Sequence, residues 1–434
     1  MREKLIKSTV WSYAAKISAT VLFFAADILI ARILDLKSYA EWAFFFSILS
    51  MGYYLFWFGV NSSTRVFVSK TAGRTDERGL CIRAGFRVRM IVSLALTVLS
   101  FGVVLILPAF SFFRELGRTY PLLHHLLLFA PFIAGLNSFA EFYKETEIGV
   151  QQYRGLFILT AVEYGAILIA APMCAARFHS AEGAGIGFLA AYGFTFLAGL
   201  FLTKRWNGIQ LRRRRDPESR LFAAKIFRYA IPLAAIGIGG VILVDMDTFM
   251  LGILGTPEDV SGYAIAKQIC TKASHINNAL AMGTLTSFSV IAAEEYAGKR
   301  RSFARIAKVN ICVTLGTGLA MFLLAGPVIS VLYGEQYAGA ARIIRCLVPY
   351  YMLYGLSAFY ALFLDYHGKA GRRSLWFAIM VIINLVLNLL LIPKYGTTGA
   401  CVATAVSLVP YTLYLLYESY LTIWKGVKNA HESA

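Results

Sequence analysis

Runs of roughly twenty consecutive apolar residues recur along this whole 434-residue chain, separated by short polar or basic stretches. Nothing constrains the fold more. A backbone N–H or C=O left unpaired in lipid is so costly that a spanning segment must be a helix or a strand of a closed barrel. Barrel strands alternate apolar and polar residues, whereas these runs are continuously apolar, so they are read as helices. The spacing predicts them near 8–33, 40–60, 86–108, 121–143, 155–175, 184–203, 229–254, 262–292, 309–333, 343–366, 374–393 and 399–423. With 58% hydrophobic and 15% charged residues and a mean hydropathy of +0.63, no stretch remains for a soluble domain. The fold class that follows is an all-α polytopic membrane protein of about twelve transmembrane helices.

A net charge of +18 would suit nucleic acid in a soluble protein, but here the positions of the cations matter more than their sum. With the N-terminus inside, thirty-one Lys and Arg fall in inner loops and tails, and only Lys37, Arg114, Arg118, Arg177, Arg342, Arg345 and Lys394 fall outside. Both termini are therefore expected in the cytoplasm, with the chain in the cytoplasmic membrane and no nucleic-acid partner. The basic N-terminal start is read as part of helix 1 rather than as a cleaved leader, because no small-residue cleavage site precedes a soluble domain.

Sliding the second half over the first by 216–221 residues reveals an internal duplication. LFFAADILIARIL at 22–34 falls on LVDMDTFMLGIL at 243–254, which pairs Asp27 with Asp247. Pro108 falls on Pro327, Pro131 on Pro349 and Gly183 on Gly399. Six helices per unit leave the halves in the same orientation, facing each other across a central cleft. The expected organisation is a six-helix bundle over 1–203, a basic cytoplasmic linker over 204–228 and a second bundle over 229–434. The linker is read as an anchor on anionic headgroups, which makes membrane lipids a partner.

Ionisable groups at membrane depth are costly, so those that occur there must face protein or water. Lys16 and Asp27, eleven residues apart, share one face of helix 1. Helix 8 carries Lys267, Thr271, Lys272, Ser274, His275 and Asn278, then Thr284, Ser287 and Ser289, a polar stripe suited to an aqueous cleft. Helix 7 adds Asp245 and Asp247, helix 5 adds Glu163, and helix 4 ends in EFYKETE at 141–147. Two readings of the lysines stand together: an anion site in the cleft, or structural pairs such as Lys267 with Asp245 or Asp247 across a short loop. Lys16 and Lys272 lie deeper, and a compact ammonium in a low-dielectric cavity attracts phosphate strongly. The substrate contacts read from this pattern are Lys16, Lys267, Lys272, Thr271, Ser274 and Asn278. The ion-coupling candidates are Asp27, Asp245, Asp247, Glu163 and His275.

The six cysteines, Cys81, Cys174, Cys270, Cys312, Cys346 and Cys401, are scattered singly and are read as packing residues. No His or carboxylate stands at metal-ligand spacing, and no Gly-rich phosphate loop or nucleophile triad is present, so no cofactor, metal or catalytic residue is expected. A membrane glycan polymerase or glycosyltransferase would need a long outer loop for its chemistry, and the outer loops here are short.

ARILDLKSYAE at 31–41, YAIAK at 263–267, LYGEQY at 332–337 and NLVLNLLLIPKYGTTGA at 384–400 resemble the polysaccharide-exporter branch of the multidrug, oligosaccharidyl-lipid and polysaccharide flippase superfamily. O-antigen and capsule-repeat flippases belong to that branch. Its members usually carry glycine where this chain has Asp35. The resemblance implies translocation of an undecaprenyl-pyrophosphate-linked oligosaccharide by alternating access, driven by an ion gradient. It also implies a polymerase and a chain-length regulator as partners in a polysaccharide assembly pathway. A multidrug and organic-cation antiporter of the same fold is the alternative, since the carboxylates on helices 1 and 7 would suit a cation. Lipid-linked peptidoglycan-precursor flippases of the same superfamily commonly carry two further helices, for which a chain ending at 434 leaves no space.

Overall fold

The computed structural model describes residues 2–71, 74–207, 217–283 and 296–425, with backbone alone at 2–6, 75, 207, 217, 235–244, 278–283, 296–297, 299 and 425. The long elements among them are all helices: α1 (Arg2–Ile33), α2 (Leu36–Trp57), α3 (Val60–Lys70), α4 (Thr75–Ile106), α5 (Ser111–Thr119), α6 (Leu123–Val150), α7 (Tyr153–Phe178), α8 (Ala181–Asn207), α9 (Pro217–Leu254), α10 (Pro257–Gly283), α11 (Tyr296–Leu332), α12 (Ala340–Tyr366) and α13 (Ala370–Tyr420). Eight of them are long and apolar enough to cross a membrane, and α2 with α3 makes a ninth span, bent by 41°.

The 51-residue α13 is two spans. Gly396 (φ 53°, ψ −132°) interrupts it, and three residues later a Cβ on Gly399 would fall on the carbonyl oxygen of Leu391. Residues eight apart in an unbroken helix are separated by about 12 Å, so the chain has turned back on itself. Along the two arms Trp376 stacks on Tyr414 at 5.2 Å, and Asn384 Nδ2 donates to Thr404 Oγ1 at 3.3 Å. α9 and α10, 38 and 27 residues long, stand where two further spans are expected from the sequence.

Helix boundaries differ from the expected ones where charge begins. The fourth span runs to Val150 rather than 143, so EFYKETE is helical. The third starts at Thr75 rather than 86 and takes Arg78 and Arg83 into α4. Apolar runs measure the lipid-facing length, while i to i−4 bonds continue through polar residues wherever the bundle offers them partners. The short α5 was not expected at all, because nine residues with two arginines carry no spanning signal.

The chain falls into two compact units, Met1–Phe249 and Met250–Ala434. In the first, α6 is central, packing on α2, α3, α4, α7 and α8, and 67% of its apolar window is buried. Only 17% of the α4 window is buried, which puts α4 on the rim. The second unit repeats the pattern, with α12 central between α10, α11 and α13, and with α11 on the rim at 17%. Rim helices carry exposed Ile91, Leu94, Val98, Leu315 and Leu319 because the solvent there is hydrocarbon. Cys312 lies on that α11 face and is exposed, so it is not the packing residue expected, whereas Cys81, Cys270 and Cys401 are buried.

Repeat-related residues occupy matching places. A Cβ on Gly183 at the α7–α8 turn would meet the Cys174 carbonyl oxygen, as one on Gly399 would meet that of Leu391. Pro131 and Pro349 lie inside the central helices α6 and α12. Asp27 and Asp247 are 9% and 7% exposed.

The break between α2 and α3 is held from outside. Phe58 and Gly59 both take left-handed backbone (φ 43° and 65°), which ends the α2 ladder and leaves its last carbonyls without N–H partners. Arg89 of α4, fully buried, donates from Nη2 to the Phe56 carbonyl at 2.6 Å and from Nη1 to that of Trp57 at 2.9 Å. Its positive charge also suits the negative end of the α2 dipole. Beside the break, Trp57 Nε1 donates to Asn137 Oδ1 (2.9 Å) and Asn61 Nδ2 to the Ser138 carbonyl (3.1 Å), both on α6. The start of α9 docks on α3 and α4 through Ser63 Oγ to the Ile226 carbonyl (2.8 Å) and Arg87 Nη1 to Ser219 Oγ (3.1 Å).

Candidate functional site

The polar residues at membrane depth form separate groups in each unit. In the first, Glu163 of α7 is 1% exposed and pairs through Oε2 with Lys144 Nζ at 2.8 Å. Lys144 of α6 also meets Glu141 Oε1 at 2.6 Å and lies over the Tyr164 ring at 5.6 Å. The i to i+3 spacing of Glu141 and Lys144 sets both on one face of α6, turned toward α7. The loop cation assumed at 144 is therefore an internal ammonium between two carboxylates. Glu145, one turn from Glu141, pairs with Arg65 of α3 at 3.0 Å.

Asp27 and Asp245 lie in the same unit. The Tyr39 hydroxyl of α2 lies 3.2 and 3.3 Å from the two carboxylate oxygens of Asp27. Ser50 of α2 donates to the Asp245 carboxylate. Asp247 is buried, with Thr248 beside it at 4% exposure. Lys16 shares a helical face with Asp27, as the spacing implies, and is exposed. So Asp27 and Asp245 are each tied to a hydroxyl of α2, whereas Glu163 is tied to a lysine.

In the second unit the α10 stripe runs along α12. Thr271 Oγ1 lies 3.0 Å from the Tyr351 hydroxyl of α12, which also donates to the Lys267 carbonyl at 3.4 Å. Ser274 is buried and returns its hydroxyl to the Thr271 carbonyl at 2.8 Å. Thr271 is thus tied to α12 and Ser274 to its own helix, and Thr271, Lys267, Lys272 and His275 all stand half-buried. The side chain of Asn278 lies outside the described residues, as do Thr284, Ser287 and Ser289. Residues 212–215 of the linker lie outside them too.

Sequence reasoning missed two features here. Arg89 and Lys144 both sit beside apolar windows and count as loop cations in any positive-inside tally. The signal for Lys144 was its spacing to Glu141 inside EFYKETE. For Arg89 no local signal exists, because its partners are main-chain carbonyls 32 and 33 residues away. Among the described residues no group of three His, Cys, Asp or Glu side chains could hold a metal ion.

The fold is similar to that of solved transporters. The lipid II flippase MurJ, in an inward closed conformation, superposes with a TM-score of 0.73 at 15% identity over 95% of this chain and 87% of that one. A multidrug resistance MATE family transporter of the MOP superfamily, facing inward, gives 0.69 at 15% identity over 96% and 99%. At these identities the likeness establishes the fold: an all-helical, multi-pass membrane architecture. Among curated proteins, the chain is 22% identical over 239 residues to the probable low-salt glycan biosynthesis flippase Agl15 of Haloferax volcanii, covering 54% of this chain. The match spans about half (50%) of that relative's length. The family model described as polysaccharide biosynthesis protein matches residues 5–286, from near the start of the first unit to just past the end of α10. A bundle with its ionisable groups gathered inward on α1, α2, α6, α7 and α9, matched by that model over most of its length, belongs to the polysaccharide biosynthesis protein family.

Proposed function

We propose that this chain is a flippase that moves a lipid-linked oligosaccharide between the leaflets of the cytoplasmic membrane by alternating access. Membership of the polysaccharide biosynthesis family carries the reading, and the half-buried lysines of α10 give it a chemistry. A polyprenyl pyrophosphate is a doubly charged anion on a lipid tail. Lys267 and Lys272 bring two ammonium groups to α10, and an ammonium with little competing water attracts pyrophosphate strongly. Lys16, exposed on α1, adds a third cation. The sugar needs polar contacts and the tail stays in lipid. An undecaprenyl carrier, an ion gradient as the drive and a place beside a polymerase and chain-length regulator complete the proposal. Both termini face the cytoplasm in this reading.

The organic-cation antiporter is the second reading, favoured by buried Asp27 and Asp247. Reconstitution into proteoliposomes separates the two. A fluorescent polyprenyl-pyrophosphate oligosaccharide is expected to change leaflet with the wild type and at least tenfold more slowly with Lys272→Ala, the protein remaining inserted. Unimpaired glycan movement by the variant, together with faster efflux of an organic cation, would sink the flippase reading.

A further inference from the structure

The Lys144 cluster has one carboxylate too many. Four helices supply the charged groups around it. Glu141, Lys144 and Glu145 come from α6, Glu163 from α7 and Arg65 from α3, while α9 brings Asp245 next to Tyr54 of α2. Arg65 is spent on Glu145 at 3.0 Å. Among the described residues Lys144 alone then faces Glu141 and Glu163, at 2.6 and 2.8 Å. The remaining neighbours of this nest are phenols: Tyr53 and Tyr54 of α2, Tyr164 of α7 and Tyr192 of α8. On α1, Tyr13 and Lys16 are exposed and Asp27 is buried against the Tyr39 hydroxyl, while Glu147, a turn beyond Lys144, is turned to Gly155. One ammonium between two ionised carboxylates leaves a net negative charge beside Glu163, which is 1% exposed, and its Oε1 accepts no hydrogen bond among the described residues.

An uncompensated charge at such a place costs several kcal/mol, so the site must take up a second positive charge. A metal cation would need to stand between the two carboxylates, and the Lys144 ammonium already fills that position. A proton needs no such space. We infer that the Glu141–Lys144–Glu163 cluster holds one exchangeable proton, carried on Glu163 and passed to water by way of Glu141, whose side chain is 24% exposed. The step is a proton transfer alone: an O–H bond forms on Glu163 as one breaks on Glu141 or on the water beside it, and Lys144 stays an ammonium throughout. That this proton is the ion that drives transport rests on the flippase reading above; the site itself does not.

Infrared difference spectroscopy of the full chain in detergent, titrated in pH, tests the site without any substrate. The wild type is expected to show a carboxylic-acid C=O stretch at neutral pH that vanishes on titration to alkaline pH. Glu163→Gln should lose that band. Glu141→Gln should lose it as well, although Glu163 is still present, because Lys144 then neutralises the one carboxylate that remains. This second variant alters a partly exposed side chain and decides the matter if the first fails to fold. Glu115→Gln on α5 should keep the band. Persistence of the band in Glu141→Gln, or its loss when sodium chloride replaces potassium chloride, would overturn the proposal. A chain that carries the band yet moves no glycan in the proteoliposome assay supports the proton site and removes the flippase reading instead.

Discussion

At residue scale, Asp35 shows how a departure from a family pattern is absorbed. Where the family resemblance leads one to expect glycine, this carboxylate accepts from the Ser38 N–H at 2.9 Å and caps α2. The Ser38 hydroxyl and N–H hold the carboxyl below its usual range. Stability gained from a lowered carboxylate is present above the ordinary value and lost as pH falls through the lowered one. Asp35→Ala is expected to cost about 1 kcal/mol at neutral pH, the usual worth of an N-cap, and to cost less in acid. Thermal unfolding in detergent at the two pH values checks both parts. Glu163 was legible as a lone carboxylate in an apolar run. Lys144 was not, because a cation near the edge of such a run reads the same whether it reaches water or turns inward to an acid. The lysines of α10 were legible as a polar stripe, but the hydroxyls of that stripe were not separable from them until α12 supplied Tyr351.

At the scale of elements, the sequence carried most of what lipid dictates and little of what the interior dictates. The number of spans follows from apolar length alone, and the placement of α6 and α12 at the two centres is foreshadowed by their paired prolines, Pro131 and Pro349. The kinked α2–α3 span and the short α5 were hidden. The first depends on left-handed backbone at Phe58, a residue type that rarely signals it. The second is too short to register against spanning helices. The hairpins α7–α8 and the two arms of α13 offer a direct test of the repeat. A methyl on Gly183 or Gly399 would press on a carbonyl oxygen of the neighbouring arm. Gly183→Ala and Gly399→Ala are each expected to destabilise by about 1–3 kcal/mol through overpacking. Gly316→Ala on rim helix α11, where nothing lies within 4 Å, is expected to leave stability unchanged or slightly raised. Unequal effects at the two hairpin glycines would argue that the halves have diverged in how they turn.

At the scale of the molecule, the distribution of cations predicts a side for each loop, and that prediction is independent of the fold. In a background without native cysteines, Thr256→Cys is expected to react with a membrane-impermeant maleimide on intact cells. Arg213→Cys should react only after permeabilisation; the reverse pattern would invert the topology. The wider lesson concerns which parts of such a chain can be exchanged between relatives. Because Arg89 supplies from α4 the hydrogen-bond donors that the broken α2–α3 span lacks, the kink is a joint property of three helices rather than of its own residues. A chimera that imports α2 and α3 without α4 would leave two buried carbonyls bare, each at a cost of about 1–3 kcal/mol. Α natural crossover that separates these segments would meet the same penalty, so α2, α3 and α4 form a single unit of inheritance inside the first bundle.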